Sequence, residues 1–150
     1  MSIHGLPDFR EKMRRIGSEK EVKKFVRKSS RQAMNLVRDD ARINAKAIDD
    51  PETVAKIHKN ITVQAGKTRD KNSIRMRVGI KGGAGQNQYS VSTAGLSGGD
   101  TRHWRFIEFG TSTIPAVPFM RPALAKNVEA VIGRFSQSFM QQLDEAIAAL

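Results

Sequence analysis

Cysteine is absent from the 150 residues, which excludes a disulfide framework and any metal site built on thiolates. The three histidines, His4, His58 and His103, are scattered, and none stands at a metal-ligand spacing from another. No apolar run approaches the ~20 residues that a membrane-spanning helix needs. The opening MSIHGLPDFREK lacks the apolar core of a signal peptide, so the protein is expected to stay in the cytoplasm until it joins a partner. Catalytic signatures are missing too. No G-x-S-x-G elbow occurs. Gly66-Lys67-Thr68 matches the end of a phosphate-binding loop, but Ile61 stands where that motif needs its first Gly. Two-carboxylate catalysis between remote residues stays open on sequence grounds. No cofactor is expected.

Positive charge is what the chain has in excess. Lys and Arg number 26 against 15 Asp and Glu, for a formal charge of +11. The stretch from Arg10 to Arg31 holds ten of these cations and only Glu11, Glu19 and Glu21. Such a field attracts polyanions, DNA or an acidic protein surface alike. The aromatics lie on apolar stripes and read as core rather than as stacking platforms for bases. At 150 residues and 39% hydrophobic residues, the chain suits one domain over 1–150 with a modest core.

The pattern of residues predicts an α+β fold. Pro7–Arg15 reads as a short helix broken by Gly17. Ser18 and Glu21 form a capping box that opens a long N-terminal helix to about Ile48. Its apolar stripe runs through Val22, Phe25/Val26, Ser29, Ala33, Leu36/Val37, Asp40, Ile43 and Ala47. Small and polar members of that stripe would let another helix approach closely; packing on a sheet is the plainer use. Thr53–Asn60 suits a further helical turn or two. Ile61–Ala65 and Ile74–Ile80 alternate and predict an antiparallel hairpin, and a small, mainly antiparallel sheet of three to four strands is expected. Residues 81–101 hold six Gly (82, 83, 85, 95, 98 and 99) and read as a flexible loop, in which Tyr89 and Val91 could pair as an arm. A long C-terminal helix, from Pro122 to the end, carries Leu124, Val128, Val131/Ile132, Phe135, Phe139, Leu143, Ile147 and Leu150.

Thr101–Leu124 is the densest stretch, with the only Trp and three of the five Pro. Trp104–Phe109 alternates large apolar groups on both faces and predicts a strand ended by Gly110. Within it, Glu108 must be paired if buried, and Arg75 or Arg77 on the neighbouring strand are the expected partners. Pro115, Pro118 and Pro122 each hold the preceding residue extended, so Ile114–Arg121 reads as a stiff crossing that enters the last helix at Pro122.

The run Glu108-Phe109-Gly110-Thr111-Ser112, then Ile114-Pro115-Ala116, then Pro118-Phe119-Met120-Arg121-Pro122-Ala123 resembles the signature of the tail-completion, or neck, proteins of tailed bacteriophages, also described as minor tail or head–tail joining components. One part departs: the Pro-x-x-Thr-Gly-x-Leu run of that family is replaced here by Asp50-Pro51-Glu52-Thr53-Val54-Ala55, without the Gly. The resemblance implies a structural protein of a long-tailed phage or prophage, located in the tail or neck of the virion and in the host cytoplasm during assembly. It implies a place in a homo-oligomeric ring against tail or head-closure proteins, without turnover or membrane contact. Glu108, Phe109, Gly110, Thr111, Ile114, Pro115, Pro118, Phe119, Arg121 and Pro122 are the expected assembly residues. They would fix the crossing and present Ile114, Val117 and Phe119 to a neighbour. The alternatives are a basic DNA-binding protein and an enzyme with a dispersed site.

Overall fold

Gly17 separates the first two helices of the computed structural model, which describes residues 5–82 and 95–150. Helix α1, Leu6–Ile16, stops where Gly17 takes φ 65° and donates its N–H back to Met13. Such a left-handed position suits glycine because it lacks Cβ. Helix α2, Glu19–Ile48, then starts as the capping box predicts, with the Ser18 hydroxyl accepting the Glu21 N–H at 3.4 Å.

The buried line of α2 is Ser29, Ala33, Val37, Ala41 and Ala45, a strict every-fourth-residue ridge of small side chains. It corrects the second half of the predicted stripe. Ile43 is 67% exposed and Ala47 also faces out, because the ridge drifts to Ala41 and Ala45. Small residues on that ridge allow close approach of a second helix, and α5, Arg121–Ala148, lies along it. Polar pins fix the pairing. Gln142 donates from Nε2 to Ser29 Oγ at 2.5 Å, the Ser138 hydroxyl donates to Gln32, and Asn127 Nδ2 donates to Asp40 at 2.5 Å.

Asp49 ends α2 and caps the short helix α3, Ile57–Asn60, accepting from the Ile57 N–H at 2.9 Å and meeting His58 Nδ1 at 2.7 Å. Strands β1, Ile61–Gly66, and β2, Arg75–Ile80, pair antiparallel with Ile61 opposite Ile80 and Val63 opposite Val78. Among the described residues the sheet has these two strands alone, fewer than the three or four expected.

Trp104–Phe109 is not the third strand; it is helix α4. The alternation was misleading because six residues fit both periods. As a helix the segment turns Trp104, Ile107 and Glu108 inward and leaves Phe106 and Phe109 out. Residues 83–94, including the arm expected at Tyr89 and Val91, lie outside the described residues. The far end of that loop is anchored rather than loose: buried Asn60 donates to Gly99 O and Thr101 Oγ1, and accepts the Gly98 N–H at 2.9 Å. A Cβ on Gly98 would fall 2.2 Å from Lys56 O, so only glycine fits there.

The core gathers at one end of the α2–α5 pair, where Val37, Ala41, Ala45, Ile57, Ile61, Phe119 and Ala123 meet. At the other end α1 closes over α5, with the Phe9 and Phe139 rings 5.9 Å apart and Lys12 2.7 Å from Asp144. Helix α5 is thus packed within the chain by α2 and, at this end, by α1. No helix among the described residues is long and apolar enough to cross a membrane.

Candidate assembly interface

Helix α5 opens without a capping side chain of its own: Met120 holds the N-cap position and Pro122 has no N–H to satisfy. The orphan donors at this end turn instead to Glu108, from α4. Its carboxylate accepts the N–H groups of Phe119 at 2.7 Å, Met120 at 3.0 Å and Arg121 at 3.0 Å. The Arg121 guanidinium adds Nε to Glu108 Oε1 at 3.2 Å and Nη2 to the Glu108 carbonyl at 2.8 Å, and lies 5.1 Å from the centre of the Phe109 ring. A buried anion therefore sits at the positive end of a long helix dipole and fills its unsatisfied donors.

Glu108 is 1% exposed. Burial pushes its pKa up, but the three backbone N–H groups and the Arg121 side chain outweigh burial and hold it below its ordinary 4.5. The carboxylate is thus kept ionised and fully bonded, which is how a buried charge is tolerated. Its partner is Arg121, not Arg75 or Arg77 as the strand reading required. The signal for this was in the sequence: a helix starting Met120-Arg121-Pro122 offers no local N-cap and so asks for a remote acceptor.

Between α4 and α5 the chain is locked at several points. Gly110 has φ 73°, and a Cβ there would fall 2.8 Å from Ala116 N and 2.9 Å from Ile114 O. Thr111 folds the turn, its hydroxyl accepting the N–H groups of Ile114 at 3.0 Å and Thr113 at 3.3 Å, while its own N–H donates to Ile114 O at 2.9 Å. Val117 donates back to Ile107 O at 2.8 Å, and Asn44 on α2 holds the Phe119 carbonyl at 3.2 Å. Pro115 and Pro118 are exposed parts of this crossing.

The expected assembly residues divide into two sets. Glu108, Gly110, Thr111, Arg121 and Pro122 build the lock. Phe119 belongs with them: it is 1% exposed and part of the core, which corrects its expected role as a contact offered to a neighbour. What the lock holds outward is apolar. Phe106 is 54% exposed, Phe109 61%, Ile114 57% and Val117 49%. Phe106, which sequence reasoning left out, joins the exposed set because the helical period brings it out. Among the described residues no group of three or more His, Cys, Asp or Glu side chains could hold a metal ion.

The family model for "Bacteriophage HK97-gp10, putative tail-component" matches residues 8–110, about two thirds of the chain. That match takes in α1 to α4 and Glu108-Phe109-Gly110, and ends before the proline-rich crossing. No curated protein and no solved structure matches the chain.

Proposed function

The chain belongs to the HK97-gp10-like family of bacteriophage tail components, and from that premise we propose that it is a structural protein of tail completion or head–tail joining in a long-tailed phage or prophage. It works without turnover, as one unit of a ring in the tail or neck of the virion. Its partners in this reading are further copies of itself and adjacent tail or head-closure proteins.

The observation that carries the proposal is the exposed apolar group Phe106, Phe109, Ile114 and Val117 on backbone that Glu108, Gly110 and Thr111 hold fixed. Large apolar side chains together at a surface mark a contact site. Rigid backbone beneath them lowers the ordering cost of binding. The formal charge of +11 would guide docking to an acidic neighbour and set its orientation.

Complementation of a phage or prophage lacking the gene tests this. Ile114→Asp and Val117→Asp, both at exposed positions, should fold normally and leave unjoined heads and tails or tails with faulty ends. Infectious yield equal to the wild type from both variants removes the interface. Equal yield after deletion of the whole gene removes the assembly role.

A further inference from the structure

The hairpin and α5 both lie on α2, but they scarcely touch each other. Between them runs a channel. Two adjoining hollows of about 300 and 270 Å³ share Met34 and Met76, and continue to Val78, Leu124, Ile132 and Phe135. On the α5 side Leu124 is 50% exposed, Val128 47% and Ile132 60%. This apolar row, part of the stripe the sequence shows along the last helix, is left about half exposed.

One wall of the channel is a strand edge, and hydrogen-bond parity shows which groups it offers. Arg42 donates to the Ile61 carbonyl at 2.7 Å and Arg31 to the Val63 carbonyl at 3.4 Å. Those carbonyls therefore point to α2, away from β2, so Ile61–Ile80 and Val63–Val78 are the non-hydrogen-bonded pairs of the ladder. The Lys81 N–H bonded to Asn60 O at 2.9 Å fits the same parity. It follows that the N–H and C=O of Val78 and Ile80 point out of the opposite edge, on the α5 side. The two edges are thus unequal: arginines from α2 cap two carbonyls of the β1 edge, whereas no described residue bonds to the outward groups of β2.

We propose that the channel takes an extended segment of an acidic partner protein as a third strand beside β2. Main-chain pairing to an open edge supplies affinity, and alternate side chains supply specificity. Charge names the occupant. Residues 61–81 hold six Lys or Arg and one Asp. Arg75 and Arg77 lie exposed on the outer face of β2, while Met76 and Val78 share the inner face with the channel. A strand laid here puts one set of side chains against Leu124 and Ile132 and the other beside the two arginines. Apolar residues alternating with Asp or Glu satisfy both faces. This surface is separate from Ile114 and Val117, and the inference does not depend on the ring.

The test is titration of the nitrogen-labelled full chain with a short peptide alternating Val and Glu, against one alternating Val and Lys. The acidic peptide should shift the amides of Met76, Val78 and Ile80 and slow exchange at Val78 at least ~10-fold. Arg77→Glu should reverse the preference between the peptides, and Ile132→Glu should weaken binding roughly tenfold, about 1.4 kcal/mol. Four results overturn the proposal: equal binding of both peptides, shifts confined to other surfaces, a Val78 amide already protected in the free chain, or the same shifts from self-association on concentration. Failure of the complementation experiment leaves these outcomes unchanged.

Discussion

Glu108 is the residue on which the link from α4 to α5 depends. Three backbone donors and one guanidinium converge on it; removing the carboxylate would leave the three N–H groups without this acceptor, and Arg121 with only its bond to the Glu108 carbonyl. Glu108→Ala should therefore cost about 3 kcal/mol, and Glu108→Gln, which keeps one acceptor oxygen, roughly 2 kcal/mol at neutral pH. The pH dependence has a definite sign. The folded pKa lies below the ordinary 4.5, so the stabilisation is complete above that value and is lost as pH falls through the folded one. Denaturant melts should show the gap between wild type and Glu108→Gln narrowing as the solution is acidified. A constant gap across that range would assign the effect to shape and not to charge.

Helix α2 shows how small residues decide which surface an element uses. A large side chain on the ridge Ser29, Ala33, Val37, Ala41, Ala45 would hold α5 away and strand Gln142 and Asn127 without their partners. Ala41 is fully buried, and Ala41→Leu should lower stability by about 1–3 kcal/mol through overpacking. Ala47→Leu, on the exposed side of the same helix, should stay within about 0.5 kcal/mol. Thermal unfolding followed by circular dichroism separates the two. A neutral Ala41→Leu would mean that the helices do not meet along this ridge. The same close contact goes with the channel: α5 lies against α2, and its Leu124 and Ile132 line hollows whose other wall is Met76 and Val78 of the hairpin.

At the scale of the whole chain, stability should be uneven. The end where α3, the hairpin and the crossing gather holds most of the buried apolar residues. The opposite end is closed by α1, which contributes no buried residue and is held by Phe9 on Phe139 and by Lys12 between Asp8 and Asp144. Exposed ion pairs add little. Amide exchange should therefore be fast through α1 and slowest near Val37–Ala45 of α2, with α1 opening in a step separate from global unfolding. Uniform protection across both would contradict this division.

Local chemistry fixed the break between α1 and α2 and the entry to α5 in advance. Gly17, Ser18 and Glu21 mark the break and restart near the N-terminus, and Pro122 marks the entry to α5, because turns and caps are decided within a few residues of chain. The alternation in Ile74–Ile80 likewise determined the hairpin, and the run from Glu108 to Pro122 carried the family resemblance. Three things needed the tertiary structure. Whether Trp104–Phe109 is strand or helix depends on where Glu108 is required, and that is set by the bare N-terminus of α5, brought up by the fold. Whether Phe119 points in or out depends on Asn44 and the core end of α2, 75 residues distant in the case of Asn44. And which apolar residues of α5 stay exposed follows from the small-residue ridge on α2. Periodicity records that a face is apolar; only packing decides whether that face is covered by the same chain or left for a partner.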